Sequence, residues 1–247
     1  MNEYDSSTGT RKRPARRPWR SRVGVLAMTL AASSLAPAAC AQGDGTDHSG
    51  EVVGAGDSAA LFAGIQQQGI TLGDPAAPVE LVDLSDLQCP FCRDFARGAL
   101  PTIVERYVRT GRVRMSFHNL PVLGEQSRRA AHLAVAIGMQ DRMFQFVGLF
   151  FANQAREGSG YANDDFLRRL AGAVQGCDVE RAMRDLDSAV VTERLGEARD
   201  LGQKFHLQGV PSFMLRRTGE DLHVLHVRRT SDPAPFVEAI DALLAPR

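Results

Sequence analysis

The spacing of apolar and polar positions divides the chain into segments of different period. Val79-Glu80-Leu81-Val82-Asp83-Leu84, introduced by Pro75 and Pro78, reads as a strand. From Pro90 to Arg109 the period becomes helical. Phe91, Phe95, Ala99, Ile103 and Tyr107 form one i+4 row, and Cys92, Ala96, Leu100, Val104 and Val108 form the row beside it. Arg93, Asp94, Arg97, Glu105 and Arg106 take the opposite face. Pro101 is expected to kink this helix and Gly111 to end it. Val113 to Phe117 alternates as a strand, stopped by Pro121. Residues 125–207 carry helical periods and no strand alternation. After Gly209, Val210–Leu215 and Leu222–Val227 read as two strands around a Thr218-Gly219 turn, and Pro233–Leu244 as an amphipathic helix. The predicted order is strand, helix, strand, a block of helices, strand, strand, helix, with no internal repeat.

The N-terminal region follows none of these patterns. Seven bases and no acids lie between Arg11 and Arg22, followed by the uncharged run Val23–Ala36 and then Pro37-Ala38-Ala39-Cys40. A basic stretch, a short apolar run and small residues make residues 1–40 an export signal. The apolar run of 14 residues falls short of the roughly 20 a membrane span needs. An uncleaved signal anchor is the minority reading. Cys40 after small residues resembles a lipobox, in which the cysteine is acylated, although Pro37 stands where leucine is usual. Ordinary cleavage at Ala39-Cys40-Ala41 is the alternative, and Arg16-Arg17 is a weak match to a twin-arginine signal. Each reading places the rest of the chain outside the cytoplasm, where disulfide chemistry is possible. Residues 41–69 open on a Gly-, Asp- and Ser-rich stretch and are expected to form a flexible linker, with the folded domain over 70–247 and a helical insertion over about 122–207.

Cys89-Pro90-Phe91-Cys92 carries the candidate chemistry. It lies at a strand-to-helix junction, where free backbone N–H groups and the helix dipole favour a thiolate. Two intervening residues let the second sulfur reach the first, so the pair can cycle between dithiol and disulfide. Two other readings stand beside this one. A zinc half-site would need a second pair of ligands, and of the histidines only His223 and His226 are closely spaced. An inert disulfide over so short a loop would remove little chain entropy.

The run from Val82 to Cys92 resembles the active-site segment of DsbA-like thiol:disulfide oxidoreductases of the thioredoxin-fold superfamily. Gly209-Val210-Pro211-Ser212-Phe213 resembles their second signature, a loop with a cis-proline facing the redox pair. The resemblance runs from about Ile70 to the C-terminus. It implies an α/β, thioredoxin-like fold with an inserted α-helical domain between the β-α-β and β-β-α halves. It further implies that Cys89 is the exposed nucleophile and Cys92 its buried partner. Pro90, Phe91, Val210 and a cis Pro211 would contact an extended client. Asp83, six residues before Cys89, stands where such enzymes often place a buried acid that handles the second cysteine's proton. Its plainer reading is a surface aspartate, and Asp86 reads as a turn or capping residue. The DsbA of enteric bacteria has a histidine where Phe91 stands, so the thiolate here is expected to be less stabilised. Cys177 reads as a lone buried thiol of the helical block. The phenylalanines at 144, 146, 150 and 151 read as core of the insertion.

The resemblance implies no metal or nucleotide cofactor, since the cysteine pair is itself the redox group. It implies secreted or cell-envelope clients and a membrane partner that recycles the pair. The expected activity is that of a dithiol oxidase. The alternatives are a reductase or isomerase of the same fold and a tethered binding or chaperone module with a static disulfide. A dimeric isomerase is disfavoured by the shortness of the linker, so a monomer is expected. The whole chain of 247 residues balances 29 bases against 29 acids. Residues 1–39 hold seven bases and two acids, a net of +5, which leaves 22 bases and 27 acids, a net of −5, for residues 40–247. A mildly acidic domain argues against nucleic acid as a partner and confines membrane attachment to the N-terminal anchor.

Overall fold

The computed structural model describes residues 51–246. The expected export signal and Cys40 lie outside these residues. Six strands form one sheet in the order β1-β2-β4-β3-β5-β6. At its centre β3 (Val79–Ser85) lies parallel to β4 (Val113–Asn119) and antiparallel to β5 (Ser212–Arg217). β3 is buried on both faces, and its interior position in the sheet follows from its Val/Leu-rich run. β6 (His223–Leu225) closes one edge, and the short β1 (Gln67–Gln68) and β2 (Thr71–Leu72) close the other.

Five helices lie between β4 and β5: α4 (Glu125–Gly138), α5 (Met143–Ala152), α6 (Asp164–Gly172), α7 (Val179–Arg184) and α8 (Ala189–Lys204). They separate a β-α-β half from a β-β-α half that ends in α9 (Ala234–Leu244). This is a thioredoxin-like fold with an inserted helical block. Asn163, Asp178 and Ser188 cap α6, α7 and α8, each side chain accepting a backbone N–H of the first turn. The phenylalanines at 144, 146, 150 and 151 are buried. Phe150 meets Phe166 edge-on at 5.5 Å inside the insertion, whereas Phe144 reaches Phe117 of β4 at 6.5 Å. The aromatic cluster therefore joins the insertion to the sheet as well as filling it.

Two local expectations change. The stretch expected as linker contains α1 (Ala55–Phe62). Its Phe62 ring lies 5.8 Å from Phe144, and Ser58 Oγ donates to the Gln145 carbonyl at 3.0 Å. Only Ser58 and Phe62 of α1 are buried, so the sequence carries too few apolar positions to reveal a helical period. The expected single helix after β3 breaks at Gly98 rather than at Pro101. It divides into α2 (Pro90–Arg97), α3 (Ala99–Ile103) and a π turn over Val104–Val108. Pro101 sits in the first turn of α3, where a missing N–H costs little. A Cβ at Gly98 would lie 2.5 Å from the Ser231 carbonyl. Gly98 therefore lets the 229–232 loop close onto the helix, and Thr230 Oγ1 donates to the Phe91 carbonyl at 2.9 Å.

Glu80 ties the three central strands. It stands opposite Arg114 of β4 and Arg216 of β5. Its Oε2 accepts from Arg114 Nη2 at 3.0 Å and from Arg216 Nε at 2.7 Å. Burial pushes the carboxyl up, and the two guanidinium groups outweigh it, so the group is held below its ordinary value of 4.5. A depressed folded-state value adds stability above pH 4.5 that is lost as pH falls through the lower folded value. Glu80→Gln is expected to cost about 2 kcal/mol at pH 7, between the values for exposed and buried pairs. In urea unfolding the gap to wild type should narrow as pH falls below 4.5; a gap independent of pH would mean the ion pairs do not supply it.

Candidate redox site

β3 delivers the chain to a tight turn, and α2 begins one residue beyond it. The Cys89 N–H donates to the Asp86 carbonyl at 3.0 Å, which closes the turn. Cys89 is the N-cap of α2 and Pro90 its first residue, where fixed φ and an absent N–H both suit a helix start. The first turn of α2 therefore aims its free N–H groups at the Cys89 sulfur. Across from it the Val210–Pro211 peptide is cis, and the Val210 carbonyl lies 3.5 Å from Cys89 Sγ. Phe95 stacks within 4.5 Å of Phe213 and 5.2 Å of Phe236, which seats α2 against β5 and α9.

Cys89, Cys92 and Cys177 are free thiols. Cys92 is fully buried and Cys89 is 4% exposed. The expectation of an openly exposed Cys89 is thus corrected: the 209–211 loop lies over its sulfur, and the projecting group is Phe91, 62% exposed. Cys177 is half-buried rather than buried.

The two sulfurs differ sharply in acidity. Hydrogen bonding from the Cys92 thiol, aided by the N–H groups of Cys92 and Phe91, brings Cys89 down to about 7 against the opposing effects of burial and the Asp86 charge. Burial pushes Cys92 well above its ordinary value, and its contact with Cys89 pushes the same way. Asp83 is buried beneath the pair, not on the surface. Burial raises it from 3.8 to about 7, opposed by Ser85 and assisted by the charge on Cys89. Ser85 Oγ donates to Asp83 Oδ1 at 2.5 Å and also hydrogen-bonds Cys92. Alternation along β3 puts Asp83 and Ser85 on one face, and the hydroxyl links the acid to the buried sulfur.

Most of the polar web that holds the turn leaves no sign in the sequence. Asp86 Oδ1 accepts from the Gln88 N–H at 2.8 Å and from Ser127 Oγ at 2.7 Å. Its Oδ2 accepts from the N–H groups of Val122 at 2.8 Å and Leu123 at 3.0 Å. Gln154 Nε2 donates to the carbonyls of Leu87 and Cys89, and Gln88 Oε1 accepts from the Gly158 N–H. The partners at 122–127 and 154–158 come from the inserted block and lie far along the chain. Only the Asp86-to-Gln88 bond, a two-residue Asx turn, has a local signature. Among the described residues no group of His, Cys, Asp and Glu is arranged to hold a metal ion.

One readily ionised thiol, touching a thiol that resists ionisation, under a loop that presents a backbone carbonyl, defines the class of protein thiol:disulfide oxidoreductases. The family model described as thioredoxin matches residues 66–223. A probable disulfide bond formation protein D of Bacillus cereus is 32% identical over 155 residues, covering 62% of this chain and 71% of the relative. The crystal structure of oxidised BdbD from Bacillus subtilis is 24% identical, covers 73% of this chain and 97% of that one, and superposes with a TM-score of 0.62. DsbA of Chlamydia trachomatis, 18% identical, covers 71% of this chain and 91% of that one with a TM-score of 0.59. The chain belongs to the thioredoxin family, as a DsbA-like thiol:disulfide oxidoreductase.

A buried acid raised from 3.8 to about 7 binds more protons folded than unfolded in that window, so folding loses stability as pH rises through it. Asp83→Asn is therefore expected to stabilise the reduced protein at pH 8 by on the order of 2 kcal/mol, and far less at pH 4. Urea midpoints at the two pH values check this; a variant less stable than wild type at pH 8 would show that Asp83 is not held against its charge.

Proposed function

We propose that the chain is an extracytoplasmic dithiol oxidase that introduces disulfides into exported proteins through Cys89 and Cys92. The observation that carries exchange through this pair is the contact of Cys89, at the start of α2 and lowered to about 7, with the buried Cys92, which is raised. In the oxidised pair a client thiolate attacks the Cys89 sulfur. A mixed disulfide forms, the Cys89–Cys92 bond breaks, and the bonding pair leaves on Cys92. The Cys92 thiolate is costly where it is buried and takes up a proton, which Asp83 supplies through the Ser85 hydroxyl. A second client thiolate attacks the client sulfur of the mixed disulfide and expels Cys89 as the better leaving group. The client is oxidised by two electrons and the pair is reduced by two. A quinone-linked membrane protein, in the manner implied by the DsbA resemblance, would take those electrons away.

Client contact falls to Pro90 and Phe91, which project beside the sulfur, and to Val210 and Pro211. The 209–211 loop borders a cleft of about 500 Å³ that extends to His206, Val224 and Val227. An extended client there finds backbone pairing and an apolar wall. No helix among the described residues is long and apolar enough to cross a membrane, so on this reading attachment rests on acylation of Cys40 or on a retained leader.

The second reading, a reductase, is favoured by the same value of about 7 for Cys89, which matches the thiolate of thioredoxin more nearly than that of DsbA at about 3.5. A redox potential measured against glutathione separates the two directions. Oxidised protein is expected to convert a reduced multi-cysteine test protein to its disulfide form, followed by direct counting of thiols. Cys89→Ser should abolish this. Asp83→Asn should slow it by about a hundredfold at pH 7, the low end of the range for a lost general acid. If Cys89→Ser oxidises the test protein as fast as wild type does, this assignment fails.

A further inference from the structure

Asp86 is 1% exposed, yet its side chain is saturated. Four donors converge on it: the N–H groups of Gln88, Val122 and Leu123 and the Ser127 hydroxyl. Every one of these contacts is a donation to the carboxyl, and both oxygens are engaged. A protonated acid would need an acceptor for its own proton; three of the four contacts are backbone N–H groups, which cannot accept, and the fourth, the Ser127 hydroxyl, already accepts from Gln88 Nε2 at 3.3 Å and turns its own hydrogen toward Asp86. The site is therefore built for an anion, and it stands three residues before Cys89 at the end of β3.

We infer that Asp86 is a positioning residue of the redox centre: its carboxylate knots the redox turn to the inserted helices and holds a fixed negative charge against Cys89, so that the pair is a milder oxidant than its helix terminus alone would make it. The charge acts against the thiolate, because two anions in a site of low dielectric repel. Cys89 feels this repulsion in addition to its burial. The other ionisable groups around the turn do not replace it. Asp83, on β3, is buried on the Cys92 side and raised toward neutrality. On α2, Arg93 is engaged by its neighbour Asp94 at 3.6 Å. On α4, Glu125 and Arg128 are exposed and paired with each other. Tyr161 of the insertion is pushed above the range in which it ionises, by burial first and by the Asp86 charge second. The 209–211 loop, Gly-Val-Pro, carries no ionisable group.

The inference rests on the reading of Cys89 and Cys92 as the exchanging pair, but its test does not depend on client oxidation. In the full-length reduced chain, iodoacetamide alkylation of Cys89 across pH, followed by peptide mass spectrometry, gives the midpoint of thiolate formation. Asp86→Asn keeps the shape and removes the charge. Its midpoint is expected to fall by about half a unit to one unit, with a ~2- to 5-fold shift of the glutathione equilibrium toward the reduced pair. Ser127→Ala keeps the charge and strips one donor from it, so its midpoint is expected to rise by ~0.2–0.5 units. A residue that only braces the turn would move both variants the same way. Midpoints that fall together, or that move in neither variant, overturn the inference. If Asp86→Asn does not fold, Ser127→Ala decides alone: a rise supports the charge and the absence of one refutes it. An exchange assay that fails while the two midpoints move apart would count against the oxidase reading and leave the role of Asp86 standing.

Discussion

Two sulfurs of the same kind, less than one helical turn apart, must ionise very differently, and the structure depends on the point at which α2 starts. Were the helix to begin a residue later, Cys89 would lose its place at the terminus and with it the converging N–H groups. Several independent restraints set that point. Pro90 favours the first helical position, the Cys89-to-Asp86 backbone bond closes the turn before it, and Phe95 anchors the helix between Phe213 and Phe236. Thr230 holds the Phe91 carbonyl from the far side, an approach that the missing side chain of Gly98 permits. Burial then separates the sulfurs further, since Cys92 is fully buried and hydrogen-bonds Ser85 at the end of β3.

What was legible in the sequence was whatever local patterning encodes. The central strands, the helix after the redox pair and the C-terminal hairpin and helix follow from periods that burial imposes on each segment. The CxxC motif and the distant Val210-Pro211 likewise stood out as short runs. The helix α1 was not legible, because two buried side chains in eight residues make no period. The break at Gly98 is not legible because its cause is a loop more than 130 residues later, and a backbone approach leaves no mark beyond a glycine. The turn-forming character of Asp86 is legible from its type and position, and its other contacts are not. Three of its four donors belong to residues 122–127, and nothing in the order of residues shows that this segment returns to the end of β3. The limited exposure of Cys89 had the same origin, since the covering loop is held there by the sheet.

The inserted block is thus more than a cover for the redox pair. Through Asp86, Gln88 and Gln154 it grips the turn at both its side chains and its carbonyls, so the geometry that aims N–H groups at Cys89 is shared between the sheet and the insertion. A turn held by buried hydrogen bonds is stiff, because each donor or acceptor released without a partner costs about 1–3 kcal/mol. Stiffness matters here. A preorganised terminus stabilises the thiolate at the moment it forms, whereas a mobile one would first have to reorganise.

The resulting poise near neutrality has a kinetic meaning. Lowering the pKa of a thiol raises the fraction ionised but weakens each thiolate as a nucleophile, and attack is fastest when the pKa lies near the ambient pH. At about 7, Cys89 stands close to that optimum, with helix N–H groups and the Cys92 thiol on one side of the balance and burial and Asp86 on the other. A stronger pull on the thiolate would favour the reduced pair and make a more powerful oxidant, at the expense of nucleophilic attack when the pair runs in reverse. Phe91 adds no charge to either side of the balance. The balance at Cys89 is therefore left to the helix terminus, the Cys92 thiol, burial and the Asp86 charge, and on the proposed reading these set how strongly the pair oxidises a client.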